Sequence, residues 1–112
     1  MRGQALSTAP ISRENEICVI TPYMLLCDDA SFYVGVTNDV ERRVYDHNEG
    51  VDPHCYTFTR RPVTLVFSSQ FNDPESAIRF EKQLKGWSRQ KKRALMRGDF
   101  EALQWLATRG PA

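Results

Sequence analysis

Residues 22–36 read PYMLLCDDASFYVGV: two apolar runs, Tyr23-Met24-Leu25-Leu26-Cys27 and Phe32-Tyr33-Val34-Gly35-Val36, separated by Asp28-Asp29-Ala30-Ser31. Aspartate and serine bond back to the local backbone and favour turns, whereas the aromatic and β-branched residues of the second run fit a pleated surface. The pattern predicts a β-hairpin. Pro22 lacks an N–H and is tolerated only at a strand start, an edge or a bulge, so the first core strand begins near it. Tyr23 and Tyr33 then lie on paired strands, where their side chains meet on one face.

Downstream, Asn38 with Glu41 three residues later forms a capping-box-like start. A short helix over about residues 39–48 follows, with Val40 and Val44 one turn apart on its buried stripe. Gly50 and Pro53 end it, and residues 63–67 alternate as a third strand. Asp73-Pro74 opens another helix, with aspartate as N-cap and proline where its missing N–H costs nothing. Ala77, Phe80, Leu84 and Trp87 form that helix's packing face, and Glu81 lies beside it. Residues 88–96 and 99–107 read as two more helices, the last with Phe100, Leu103 and Leu106; Trp105 is expected to pack. The order β-β-α-β-α-α-α predicts an α+β domain: a small, mainly antiparallel three-stranded sheet, flanked by helices mostly on one side. Residues 21–108 form the domain, preceded by an extension over residues 1–20 expected to be flexible.

Composition narrows the classes. With 112 residues, 41% hydrophobic and 26% charged, the chain suits one globular core and excludes a fibrous or disordered protein. No apolar run approaches the roughly 20 residues of a membrane span, and the start lacks the apolar core of a signal peptide. Cys18, Cys27 and Cys55 are odd in number and make no C-x-x-C pair, so no disulfide framework is written, and a cytoplasmic setting is expected. His47, His54 and Cys55 match no familiar zinc spacing.

The formal net charge is only +1, yet its distribution is polarised. Residues 79–97, RFEKQLKGWSRQKKRALMR, hold eight cations against the single acid Glu81, while residues 1–59 are mostly acidic. A basic helix often binds nothing, so phosphate recognition needs independent support. That support is a set of side chains. Arg43 and His47 lie one helical turn apart, off the Val40/Val44 stripe, and can face the two tyrosines. Two phenols, a guanidinium, an imidazole and a carboxylate beside positive charge suit phosphodiester hydrolysis. The carboxylate can hold Mg²⁺, the arginine can steady phosphate charge, and tyrosine or histidine can move a proton.

At these positions the sequence resembles the GIY-YIG nuclease superfamily, especially its small stand-alone bacterial members related to the nuclease domain of excinuclease C. Tyr33-Val34-Gly35 is similar to the family's Y-[IV]-G. Residues 37–48 resemble its T-x-x-L-x-x-R-[LV]-x-x-H-N helix, and Tyr56-Thr57 with Arg60-Arg61-Pro62-Val63 its entry to the third strand. Residues 77–87 and 91–95 resemble A-x-x-x-E-x-x-[IL]-K-x-W and its K-K-x-A-L continuation. Thr21-Pro22-Tyr23 stands where the family has Gly-Ile-Tyr, and no asparagine follows Glu81 where some relatives carry one.

The resemblance implies a metal-dependent DNA endonuclease of repair, recombination or processing of branched, nicked or single-stranded DNA. Tyr33 would stand near the attacking water with Tyr23 as its neighbour, Arg43 would contact the scissile phosphate, and His47 would support proton transfer. Glu81 would be the sole protein ligand of one Mg²⁺ or Mn²⁺. Gly35, Thr37, Arg60, Arg61, Lys85, Lys91 and Lys92 are the expected nucleic-acid contacts. The alternative is a nucleic-acid-binding module of the same fold that has weak or no turnover and acts with a partner. Oligomeric state is not legible in the sequence, with a monomer favoured.

Overall fold

The computed structural model describes residues 19–109; most of the N-terminal extension, residues 1–18, lies outside the described residues, as does Cys18. The elements are β1 (Thr21–Leu26), β2 (Phe32–Thr37), α1 (Val40–Glu49), β3 (Thr64–Ser68), α2 (Pro74–Lys85), α3 (Arg89–Arg97) and α4 (Phe100–Arg109), with a 3-10 turn at Phe58–Arg60. This is the order expected from the sequence.

The sheet runs β2-β1-β3, and both neighbours pair with β1 antiparallel. The hairpin register sets Tyr23 opposite Gly35 and Leu25 opposite Tyr33. Pro22 therefore sits near the start of the central strand. Ile20 and Phe71 exchange both backbone bonds, at 3.0 and 2.9 Å. On the next rung the Ser69 N–H donates to the Pro22 carbonyl at 3.1 Å. Pro22 has no N–H to return, so that rung is single, and the strand start absorbs the loss.

Period-two alternation sorts β1 between two cores. Tyr23, Leu25 and Cys27 join Val63, with Tyr33 and Val44 packed against them. Met24 joins Val34, Leu84 and Leu95 on the opposite face, covered by Phe32, Phe80, Trp87 and Leu103. Thus α1 covers one face and α2, α3 and α4 supply the other. Tyr23, Met24 and Leu25 have no exposed surface, and full burial of such side chains contributes roughly 1.5–3 kcal/mol each. Two expected apolar positions differ: Phe100 and Trp105 are 66% and 57% exposed.

Helix ends follow local chemistry. Asp73 caps α2 by accepting from the Glu75 and Ser76 N–H groups, and Ser88 caps α3 through the Lys91 N–H. The cap of α1 is Asp39, accepting from the Arg42 N–H, instead of the expected Asn38. Thr37 makes the difference: its buried hydroxyl accepts the Asp39 N–H at 3.1 Å and so fixes the turn one residue later. At the far end Gly50 takes the left-handed conformation, φ 70°, that closes a helix readily only at glycine.

Asn48 buckles α1 to β3. Its amide donates to the Val63 carbonyl at 3.0 Å and accepts the Val63 N–H at 2.7 Å, beside a buried side chain. Removing both partners strands two backbone groups, each worth about 1–3 kcal/mol if left unsatisfied. Asn48→Ala is expected to lower the urea-unfolding free energy by about 2 kcal/mol without altering secondary structure by circular dichroism.

Candidate active site

The site is assembled on the α1 face of the β1–β2 hairpin, where β2 is one of the sheet's two edge strands. Tyr23 and Tyr33 project from the hairpin onto the α1 face, with ring centroids 6.4 Å apart. From α1, one turn apart, come Arg43 and His47. The His47 ring lies 6.0 Å from Tyr23 and 5.1 Å edge-on to Tyr33. Its Nε2 is 3.0 Å from the Tyr23 hydroxyl, and the Arg43 charge acts on the same phenol. Four of the five expected residues therefore converge.

Glu81 arrives from the other side of the sheet, on α2. Its carboxylate is near enough to Tyr33 for its charge to act on that phenol. Only 8% of the residue is exposed, and Lys85, one turn on, pairs with Oε2 at 2.7 Å. On the α1 side, Tyr33, Arg43, His47, Cys55 and Thr57 line a pocket of about 290 Å³ whose rim carries Asp46 and Asp52. Larger grooves, about 500 and 590 Å³, run along α3 and α4, away from these residues.

Burial governs the proton affinities. Desolvation, helped by the neighbouring Tyr33, pushes the Tyr23 phenol up to about 12 against the opposing pull of Arg43. Tyr33 is raised by burial, then by the neighbouring Cys55 thiol and by Glu81, with Arg43 opposing. Burial lowers His47, Arg43 lowers it further, and Asp46 pulls the other way. The free site thus holds two neutral phenols and a neutral imidazole at pH 7.

For His47 the sign has a measurable consequence. Folding depresses its pKa, so the unfolded chain binds the proton more readily. The stability contribution is fully present above the ordinary histidine value of about 6.5 and is lost as pH falls through the lower, folded value. The groups facing the ring are Tyr23, Tyr33, Arg43, Asp46, Cys55 and Thr57. The urea midpoint is expected to fall on going from pH 7.5 to 5.5, with a smaller fall in His47→Gln; equal falls in both proteins would assign the effect elsewhere.

The expected nucleic-acid contacts divide. Lys85 and Lys92 share a groove of about 220 Å³ with Phe32, Tyr33 and Tyr56 at the edge of the site. Lys92 Nζ reaches the Lys85 carbonyl at 3.5 Å, and burial lowers its pKa. Lys91 turns away, over the Trp87 ring at 5.6 Å. Arg60 donates to the Tyr56 carbonyl at 2.7 Å and to Asp29 at 3.1 Å, and lies 3.8 Å over the Tyr56 ring, which also stacks on Tyr33. Arg61 donates to the Phe58 and Asn48 carbonyls at 2.8 and 3.4 Å. Both guanidiniums hold the loop that walls the site. Gly35 faces the Tyr23 ring, which fills the space where a Cβ would stand, 2.7 Å from the hydroxyl.

Sequence reasoning gave no role to Thr57, which has 1% of its surface exposed and a hydroxyl 2.8 Å from His47 Nδ1. It lies in an aperiodic loop, where burial leaves no pattern; its place beside Tyr56 in the third-strand motif was the one available signal.

A single carboxylate suits a water-rich hard cation, because Mg²⁺ keeps several waters and takes few protein ligands. The Lys85 ammonium already supplies positive charge at that oxygen. Among the described residues no group of three His, Cys, Asp or Glu side chains gathers as a zinc site requires. No described helix is long and apolar enough to cross a membrane.

The sheet, the paired tyrosines and the α1 pair define a nuclease fold. The chain belongs to the GIY-YIG family: the GIY-YIG catalytic domain matches residues 20–94. It is similar to small stand-alone proteins. A UPF0213 protein of Staphylococcus saprophyticus is 40% identical over 74 residues, 66% of this chain and 89% of that one. A UPF0213 protein of Halobacterium salinarum is 44% identical over 73 residues, 65% of this chain and 94% of that one. Among solved structures, a UPF0213 protein from Bacillus halodurans shares 40% identity, with 69% of this chain and 81% of that one covered and a TM-score of 0.45.

Proposed function

We propose that the protein is a divalent-metal-dependent endonuclease that hydrolyses phosphodiester bonds in DNA, in the repair, recombination or processing of branched or damaged substrates. The observation that supports this reading is the convergence of Tyr33, Arg43 and His47 on one pocket, with Tyr23 bonded to His47 and the buried Glu81 carboxylate acting electrostatically on Tyr33. Glu81 is the residue that would hold one Mg²⁺ or Mn²⁺, which when bound offsets phosphate charge and acidifies water.

Arg43 binds a non-bridging phosphate oxygen and stabilises the charge that develops as water attacks phosphorus and the bond to the leaving sugar oxygen breaks. Tyr33, the phenol that lines the pocket, orients the attacking water. It becomes a proton acceptor only when added positive charge reinforces the pull of Arg43 against its burial. Tyr23, with no exposed surface and its oxygen bonded to His47, supports that imidazole instead of meeting the water. Lys85 and Lys92 take flanking phosphates.

Cleavage of labelled branched, nicked and single-stranded DNA tests the reading. Product is expected with Mg²⁺ or Mn²⁺ and none after EDTA treatment, with activity restored on adding metal back; cleavage that ignores EDTA contradicts the metal requirement. The Glu81–Lys85 ion pair favours a second reading, a DNA-binding module with weak turnover, because the carboxylate already has a cationic partner. Salt-sensitive binding retained in Glu81→Gln, without metal-dependent nicking by either protein, would establish it.

A further inference from the structure

We propose that Thr57 is a positioning residue: its hydroxyl, set between His47 Nδ1 and Cys55 Sγ, fixes the imidazole in the tautomer that protonates Nδ1 and leaves Nε2 to accept the Tyr23 hydroxyl. Only the kinetic part of this inference rests on the nuclease reading.

Both ring nitrogens of His47 have a close partner, Tyr23 Oη at 3.0 Å on Nε2 and Thr57 Oγ1 at 2.8 Å on Nδ1, and Cys55 Sγ, a weaker hydrogen-bonding group, lies 3.8 Å from Nδ1 as well. A neutral imidazole donates from one nitrogen and accepts at the other, so the two bonds have opposite sense. The neighbour beyond Thr57 chooses which. The Thr57 hydroxyl donates to Cys55 Sγ at 3.4 Å. A hydroxyl has one hydrogen, so towards Nδ1 the Thr57 oxygen accepts, and Nδ1 carries the ring proton. With Nδ1 protonated, Nε2 is the accepting nitrogen, so the Tyr23 hydroxyl, 3.0 Å away, donates to it.

The chain of bonds therefore runs in one direction, from Tyr23 through His47 and Thr57 to the Cys55 sulfur. Thr57 is held for this task. It has 1% of its surface exposed, and its carbonyl accepts the Arg60 N–H at 2.9 Å. Groups that orient an imidazole from behind commonly change activity ten- to a hundredfold when removed.

The test is ¹⁵N-resolved NMR of the imidazole in the full chain, without DNA, with His54→Gln used to assign His47. The wild type is expected to show neutral His47 protonated on Nδ1. Thr57→Ser keeps that signature, whereas Thr57→Val moves the proton wholly or partly to Nε2. A wild-type proton on Nε2 overturns the inference and needs no variant to fold; so does an unchanged tautomer in folded Thr57→Val. In cleavage assays Thr57→Val is expected to lower kcat about ten- to a hundredfold with KM little changed, and Thr57→Ser to recover most of it. A loss confined to KM, or no recovery with serine, contradicts the positioning role. If the wild type cleaves nothing, the nuclease reading fails while the tautomer result still decides the role of Thr57.

Discussion

Glu81→Gln is expected to leave the chain folded and to cut metal-dependent DNA cleavage by at least about a hundredfold, the scale on which loss of one charge-stabilising group acts. The substitution keeps shape and a hydrogen-bonding oxygen but removes the charge that would attract a cation. Its structural cost is small because the residue's ion-pair partner, Lys85, projects into solvent with 58% of its side chain exposed. The buried partner, Glu81, is replaced by a neutral group of the same shape, so no charge is left buried without its partner. A loss of cleavage with unchanged circular dichroism supports the assignment. Undiminished cleavage by the variant removes Glu81 from the chemistry.

Gly35→Ala is the second large effect, and its cause is packing. A Cβ at this position would stand 2.7 Å from the Tyr23 hydroxyl and 2.9 Å from Cζ. The phenol cannot swing aside freely: it is fully buried and bonded to His47. The alanine variant is expected to lose about 1–3 kcal/mol of stability by urea unfolding, the usual cost of overpacking a core. Cleavage is expected to fall with it as the Tyr23–His47 bond is displaced. Adding Tyr23→Phe removes the atom of closest contact, so the double variant recovers part of the stability. Were Gly35→Ala fully stable and deficient only in DNA binding, the glycine would serve the ligand and not the phenol.

These two residues show how far the sequence reached. The hairpin, the α2 start at Asp73-Pro74 and the element order were legible because alternation, turn residues and capping act locally. The convergence of Tyr23, Tyr33, Arg43 and His47 was legible because strand pairing and one helical turn carry them to the same face. What escaped was set by tertiary contacts. The register sets Gly35 against the Tyr23 ring, a packing contact that no local pattern announces. Asn38 and Asp39 are comparable N-caps by type, and only the Thr37 hydroxyl selects the second. Arg60 and Arg61 look alike to any phosphate in the sequence, yet carbonyls and Asp29 occupy them in the fold. Thr57 is one polar residue in a loop without period, and its meaning comes entirely from the imidazole placed against it.

The arrangement also explains why near-neutral net charge is compatible with a polyanionic substrate. Lys85 and Lys92 stand in the groove beside Tyr33, and Arg43 lines the pocket on the other side of that ring. Local field, not overall charge, is what a phosphate meets at close range.

The central claim is that one carboxylate, Glu81, anchors a divalent cation beside Tyr33. Its most direct test is titration of the ¹⁵N-labelled protein with substoichiometric Mn²⁺, following paramagnetic broadening of backbone signals. Broadening centred on Glu81, Lys85 and Tyr33 and abolished in Glu81→Gln is the expected result. Broadening centred elsewhere, for example on Asp46 and Asp52, or left intact in the variant, would contradict the claim.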